Sequence, residues 1–110
     1  MTIKKLLISN RGEIASRIIK SAHDMGITCV AIYTEADKNT PYVREADQSF
    51  KLSDSYLNAK EILEIAKKNN VDAIHPGYGF LSENANFANN VKKAGIKWIG
   101  PSANAIKKMG

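Results

Sequence analysis

The sequence predicts an α/β fold, an open parallel sheet of about five strands with helices on both faces. Short apolar runs, typical of buried strands, alternate along the chain with longer segments of helical periodicity. Parallel strands joined by helices need right-handed crossovers, which place the helices on the two faces of the sheet. No repeat, low-complexity tract or proline-rich linker divides the 110 residues, so we expect a single domain over residues 1–110.

The first strand and helix are predicted close to the start of the chain. Residues 5–9 form a short apolar run bounded by charge, which is typical of a buried strand. Asn10 is predicted to cap the next helix, and Glu13 stands where a capping box needs an acid. This helix extends over residues 11–25, and Gly26 ends it. Its inward apolar residues recur at helical spacing and are Ile14, Ala15, Ile18, Ile19 and Ala22.

The middle of the chain continues the alternation. Residues 28–33 are rich in β-forming side chains and predict the second strand. After a polar turn, residues 41–46 resemble a short helix opened by proline, and residues 49–52 predict a third strand. A longer helix is predicted over residues 58–69. Its capping pair is Asn58 with Glu61, and its inward residues are Ile62, Leu63 and Ala66.

The last third of the sequence completes the predicted sheet. Residues 72–75 and 97–99 are short apolar runs that predict the fourth and fifth strands, and residues 83–94 predict the helix between them. Ser102 is predicted to cap a final helix, whose pattern has no stop signal before Gly110. We therefore expect the sequence to belong to a longer protein. The alternative is a natural terminus, at which a glycine that ends the helix would give the same pattern.

Composition and charge exclude several classes of partner. The formal net charge is +5, but the basic residues occur as scattered pairs near predicted helix ends, where cations complement the helix dipole. Aromatic residues do not interleave with them, so no nucleic-acid partner is expected. The apolar runs are too short to span a bilayer and the start lacks a signal peptide, which predicts no membrane contact and a cytoplasmic location.

Three residues are candidates for chemical roles. Cys29 lies in an apolar run without a metal-ligand partner at useful spacing, so we expect a small core residue. His23 lies on a helix flank with no apparent acid or nucleophile partner, and solvent exposure is expected. His75 stands at a predicted strand end, where a structural bond to the adjacent loop is favoured over polarisation of a substrate.

The segment after the fourth predicted strand is the part of the chain that a purely structural role explains least well. We call residues 75–84, His-Pro-Gly-Tyr-Gly-Phe-Leu-Ser-Glu-Asn, the Tyr78 loop. Gly77 and Gly79 permit a positive φ, and Tyr78 and Phe80 place two aromatic rings on the turn. The loop lies where open α/β sheets hold their ligands, so it is interpreted as a ligand platform. The alternative is a tight turn with Phe80 tucked inward.

Nucleotide motifs are weak in this sequence. A dinucleotide fingerprint needs three glycines in the first strand-to-helix turn, which here has only Gly12. In the Tyr78 loop, Ser82 replaces the third glycine of a similar pattern, although Glu35 lies near the position of a ribose-binding acid. A nucleotide-binding module therefore remains an alternative function for the chain.

A charged stripe follows the first predicted helix. Arg17, Lys20 and Asp24 recur at i, i+3 and i+7, opposite the apolar face. The stripe fits a solvated face and also a polar subunit contact. A purely structural domain that oligomerises through this helix is thus a second alternative.

Taken together, these segments resemble the N-terminal domain of biotin carboxylase. The resemblance rests on residues 4–15 (Lys-Lys-Leu-Leu-Ile-Ser-Asn-Arg-Gly-Glu-Ile-Ala) with Arg17, on residues 75–87 and on residues 99–102, and covers essentially the whole chain. Biotin carboxylase is the component of acetyl-CoA, propionyl-CoA and pyruvate carboxylases that carboxylates biotin. The resemblance implies a Rossmann-like, pre-ATP-grasp domain joined in the full protein to an ATP-grasp domain.

The resemblance also implies a reaction and its partners. The full enzyme is expected to use ATP and Mg²⁺ to activate bicarbonate and to carboxylate biotin on a carrier protein, and a carboxyltransferase then chooses the final acceptor. The family's ATP-binding and metal-binding residues lie beyond Gly110. We therefore expect no catalytic residue, metal site or tightly bound cofactor in these 110 residues, and no ATP turnover by this chain alone.

The site residues implied by the resemblance fall into two groups. Tyr78 matches the biotin-facing tyrosine of the family, with Gly79 beside it. Arg17, Lys20 and Asp24 match a helix of the family's homodimer contact. Lys20 stands where some members have arginine and Asp24 where some have glutamate, exchanges that weaken bidentate pairing.

Overall fold

The computed structural model describes residues 3–100 and contains one five-stranded sheet in which all paired strands are parallel. The strands are β1 (Lys5–Ile8), β2 (Thr28–Tyr33), β3 (Gln48–Lys51), β4 (Ala73–His75) and β5 (Lys97–Trp98). The helices are α1 (Gly12–Asp24), α2 (Pro41–Glu45), α3 (Ala59–Lys68) and α4 (Ala85–Lys93), with a 3₁₀ turn at Glu35–Asp37. The predicted fold is confirmed. The predicted cap at Ser102 and its helix lie outside the described residues.

Two apolar layers hold the helices against the sheet. Along β1, Leu7 points into one layer, while Leu6 and Ile8 point into the other. The layer around Leu7 contains the buried faces of α3 and α4, and the opposite layer contains those of α1 and α2. In the first layer, the rings of Phe87 and Trp98 meet edge to face with centroids 5.6 Å apart. The sheet is therefore covered on both faces, as the alternation of elements predicts.

The predicted caps have mixed outcomes. The side chain of Asn58 accepts a hydrogen bond from the backbone N–H of Glu61 at 3.1 Å, which confirms this cap. The carboxylate of Glu61 binds the backbone N–H and hydroxyl of Ser53, so the reciprocal half of the predicted box is replaced by a longer-range contact. The prediction for α1 is wrong, because the helix is capped by Arg11 without a side-chain bond, and Asn10 lies buried outside it.

The strand order places two loops at one ligand-binding edge. The order is β3-β2-β1-β4-β5, so the chain leaves β1 toward one side of the sheet and returns in β4 on the other. In parallel sheets this change of direction opens a crevice at the carboxyl ends of the two central strands. The backbone N–H of Ser9 donates to the carbonyl of His75 at 2.9 Å, which joins the two strand ends. The loops that follow β1 and β4 therefore share this crevice.

Candidate functional site

The Tyr78 loop displays one aromatic ring and rests another on the protein. The side chain of Tyr78 is 79% exposed, whereas Phe80 is 41% exposed and its ring lies 5.4 Å from that of Tyr56. Gly77 and Gly79 have φ angles of +64° and +68°, in the left-handed region that glycine adopts without cost. The ring of Tyr78 is thus exposed, as a ligand platform requires. The ring of Phe80 is only partly tucked inward, so the alternative of a tight turn with Phe80 inside describes it in part.

Two side chains fix the backbone at the start of the loop. The amide nitrogen Nδ2 of Asn10 donates to the carbonyl oxygens of Pro76 at 2.8 Å and Tyr78 at 2.7 Å. The Nδ1 atom of His75 accepts the backbone N–H of Gly77 at 3.1 Å, as expected for a structural histidine. Burial lowers the pKa of His75, which favours the neutral ring at pH 7. The Nδ1 atom therefore carries no proton and can accept this hydrogen bond.

The two glycines of the loop serve different purposes. A Cβ atom at Gly77 would lie 2.7 Å from Nδ2 of Asn10 and 3.1 Å from Cγ2 of Ile14. A Cβ atom at Gly79 would meet no atom within 4 Å. Gly77 is therefore required by the packing beneath the loop, whereas the space beside Gly79 is open to a molecule approaching from outside.

A buried polar network supports the loop from the side. The guanidinium of Arg11 donates through Nε and Nη2 to the two carboxylate oxygens of Asp37, each at 2.6 Å. The hydroxyl of Tyr56 also donates to Asp37 and contacts the hydroxyl of Tyr42 at 2.7 Å. Since the ring of Tyr56 contacts that of Phe80, the network connects the loop between β1 and α1 to the Tyr78 loop.

Sequence reasoning did not find this network. Arg11 and Asp37 are 26 residues apart, and Tyr56 and Asp37 are 19 apart, so no local pattern pairs them. The sequence offers only one hint of the network, the acid Asp37 in the turn after β2. The structure shows that this side chain is buried. Hydrogen bonds from Arg11, and to a lesser extent from Tyr56, hold the pKa of Asp37 below its usual range despite the burial.

Comparison with known proteins now identifies the family. Residues 2–106 match the family model described as the N-terminal domain of biotin carboxylase. The chain belongs to this family. Biotin carboxylase 1 of Bacillus subtilis is 53% identical over 98% of the chain, and human mitochondrial pyruvate carboxylase is 45% identical over 98%. The chain spans 25% of the first of these relatives and 10% of the second.

Solved structures agree with this assignment to the biotin carboxylase family. A crystal structure of the biotin carboxylase domain dimer of Hydrogenobacter thermophilus 2-oxoglutarate carboxylase superposes with a TM-score of 0.96 and 43% identity. The superposition covers 100% of this chain and 25% of the related chain. The related domain was solved in complex with MgADP, ADP and bicarbonate. The crystal structure of the biotin carboxylase subunit of a pyruvate carboxylase superposes with a TM-score of 0.95 and 45% identity. This superposition covers 99% of this chain and 25% of that subunit.

The charged stripe lies on the outer face of α1. The side chains of Arg17, Lys20 and Asp24 are all largely exposed. Arg17 lies 3.2 Å from Glu13, and Lys20 lies 3.9 Å from Asp24. Solvated pairs of this kind contribute little to folding, so the stripe remains available to a partner. Its predicted role in a homodimer stays a prediction.

An apolar groove adjoins the Tyr78 loop on the same side of the domain as α1. Its volume is about 610 Å³, and Gly77 and Tyr78 line it together with Ile14, Ile18 and Met25 of the α1 region.

Within residues 3–100, the helices are too short and too polar to cross a lipid bilayer.

The expectations for His23 and Cys29 have different outcomes. Cys29 is a fully buried core residue, as predicted. His23 is exposed, as predicted, but the expectation that it lacks an acid partner is wrong. His23 has an acid partner, because its Nε2 atom lies 2.8 Å from Oδ2 of Asp47. Cys29 lies in the same cluster, and the ligand-type atoms of these three residues are within 4.8 Å of one another. The backbone N–H of Cys29 also donates to Oδ2 of Asp47 at 2.7 Å, and burial raises the pKa of the thiol to about 11. Hydrogen bonds thus account for the cluster, and the thiol stays protonated at neutral pH.

Proposed function

We propose that this chain is the N-terminal domain of a biotin carboxylase that, as a whole protein, carboxylates biotin on a carrier protein with ATP and bicarbonate. Membership in the family supports the reaction class. The observation that supports a role for this domain is the exposed ring of Tyr78 on a loop anchored at the crevice between β1 and β4.

The geometry suits Tyr78 and Gly79 as part of the biotin pocket. The ureido ring of biotin is planar, and an exposed aromatic ring offers a flat apolar face against which it can pack. The absence of any atom near the position of a Cβ at Gly79 leaves room for that approach. The residues present therefore fit this cofactor, and biotin would supply the ring nitrogen that is carboxylated.

The remaining parts of the reaction are assigned to other segments and partners. ATP, Mg²⁺ and bicarbonate are proposed to bind an ATP-grasp domain of the full protein, which is consistent with the MgADP and bicarbonate present in the related Hydrogenobacter structure. The carrier protein and a carboxyltransferase complete the proposed partners. Because phosphoryl transfer needs positioned cations around the transferred group, these 110 residues alone are proposed to turn over no ATP. The cytoplasmic location stays a prediction.

Substitution of Tyr78 in the full-length enzyme tests the proposal. An aromatic contact contributes about 0.5–1.5 kcal/mol, so Tyr78→Ala is expected to raise the KM for free biotin about twofold to tenfold. Tyr78→Phe keeps the ring and should stay within about twofold of the wild type. The measurement is steady-state ATP cleavage at varied free biotin, with the KM for ATP as an internal control. An unchanged KM for biotin in Tyr78→Ala would show that the ring has no role in the pocket.

A further inference from the structure

Asn10 is a buried polar residue whose contacts all serve the neighbouring loop and the start of α1. It is 1% exposed, and its Oδ1 atom accepts the backbone N–H of Arg11 at 2.8 Å. Both amide hydrogens are used by the carbonyl oxygens of Pro76 and Tyr78, on the two sides of Gly77. One side chain from the loop after β1 therefore fixes the backbone of the loop after β4.

The contacts of Asn10 require an amide. A carboxylate has no hydrogen to donate, so aspartate would place a buried charge within about 3 Å of two carbonyl oxygens. Serine is shorter and has only one hydrogen to donate. The orientation of the amide is set by the network itself, because its oxygen faces an N–H and its nitrogen faces two carbonyls.

The fit between Asn10 and the loop is reciprocal. A Cβ atom at residue 77 would lie 2.7 Å from Nδ2 of Asn10, so the amide reaches the two carbonyls only because residue 77 is glycine. His75 holds the N–H of Gly77 from within the loop. With the backbone held on both sides of Gly77, the direction in which the Tyr78 side chain leaves the loop is fixed, although that side chain is itself exposed.

We propose that Asn10 is a positioning residue for biotin binding, which holds the Tyr78 loop in the shape that presents its ring and does not itself contact biotin. The inference rests on the proposed role of Tyr78. Free biotin binds only the fraction of molecules with the loop in place, so its apparent affinity falls in proportion to that fraction. Loss of the two hydrogen bonds therefore acts on the KM for biotin and leaves the ATP site unaffected.

The test uses the full-length enzyme with Asn10→Asp, Tyr78→Ala and the double variant. If about one molecule in ten keeps the loop in place, Asn10→Asp raises the KM for free biotin about tenfold, while the KM for ATP changes less than twofold. Because Asn10 acts through Tyr78, adding Asn10→Asp to Tyr78→Ala is expected to raise the KM for biotin less than twofold further. The matched control is Asn86→Asp on the exposed side of α4, which should leave both constants unchanged.

Each outcome separates the inference from the proposed function. A normal KM for biotin in Asn10→Asp together with a raised one in Tyr78→Ala overturns the positioning role alone. Equal increases in the KM for biotin and for ATP also overturn it, because they indicate general damage to the domain. Fully multiplicative effects in the double variant overturn it as well, because they indicate that Asn10 acts independently of Tyr78. A normal KM for biotin in Tyr78→Ala overturns the pocket role on which the inference rests. If Asn10→Asp does not fold, Asn10→Ser carries the same expectations, since it removes at least one of the two donated bonds without adding charge.

Discussion

A single buried carboxylate, that of Asp37, joins three segments of the chain beside the Tyr78 loop. It accepts two hydrogen bonds from Arg11, which follows β1, and one from Tyr56, which precedes α3. The carboxylate is 3% exposed, whereas the guanidinium is half exposed. Replacing the carboxylate by a neutral amide would therefore weaken the hydrogen bond from the buried hydroxyl of Tyr56, while Arg11 would still reach water.

The first stability prediction concerns Asp37→Asn. Hydrogen bonds to a charged group contribute about 1.5–3 kcal/mol, so this isosteric change is expected to lower the free energy of unfolding by about that amount at pH 7. The folded pKa of Asp37 is below its unfolded value, so the stability it contributes is fully present above about pH 4 and is lost as the pH falls through the folded pKa. The difference between wild type and variant should therefore shrink only in acid.

Urea unfolding of the chain, followed by far-UV circular dichroism across this pH range, measures both effects. The exposed acid Glu64 on α3 provides the control, since Glu64→Gln should change the free energy of unfolding by less than about 0.5 kcal/mol. A variant Asp37→Asn as stable as wild type at pH 7 would contradict the role given to the carboxylate.

The Tyr78 loop contains two glycines that the sequence does not distinguish. Both have a positive φ, but only Gly77 has the side chain of Asn10 packed against the position of its missing Cβ. The amide of Asn10 is buried and holds three hydrogen bonds, so it cannot move aside cheaply. The two positions thus form a matched pair with the same backbone strain and different packing.

The second stability prediction uses this pair. Gly79→Ala should cost about 1–2 kcal/mol, the cost of a left-handed conformation in a residue with a Cβ. Gly77→Ala should cost about 2–5 kcal/mol, because overpacking adds about 1–3 kcal/mol in a closely packed site to the same backbone cost. Urea unfolding of both variants measures the difference. Equal losses of stability would mean that Asn10 yields to the added methyl group and does not hold the loop tightly.

The apolar pattern predicted where the helices and strands lie in the sequence more accurately than it predicted the residues at which they begin and end. The predicted second strand, residues 28–33, coincides with β2, and the shorter elements are displaced by one or two residues. The cap at Asn58 was predictable because it needs only a local N–H. The cap assigned to Asn10 was wrong because carbonyls 66 and 68 residues away bind the same amide and bury it.

The outer face of α1 bears on how the whole protein assembles. Its stripe of Arg17, Lys20 and Asp24 is exposed, and the related Hydrogenobacter domain was crystallised as a dimer. We propose that the stripe forms part of a homodimer contact in the full-length protein. A charge reversal within it would place like charges against the partner and thereby weaken association.

The assembly prediction is therefore tested with Arg17→Glu in the full-length protein. The dissociation constant of the dimer is expected to rise at least about tenfold, which sedimentation velocity measures over a range of concentrations. Repulsion from Glu13 on the same helix costs only about 0.2–0.5 kcal/mol, too little to unfold α1. Lys60→Glu, an exposed charge reversal on α3, is the matched control. Association identical to that of the wild type would remove Arg17 from the contact.

Local sequence features are sufficient to predict the order of the elements, the parallel sheet covered on both faces, the family and the loop that presents Tyr78. These features depend on periodicity, turn residues and short motifs, which are properties of neighbouring residues. The folded structure was needed to show that Asn10 holds that loop, that Asp37 is buried between Arg11 and Tyr56, and that His23 pairs with an acid. Each of these depends on which distant polar groups the fold brings within hydrogen-bonding distance, because burial forces such groups to find partners and local patterns do not specify them.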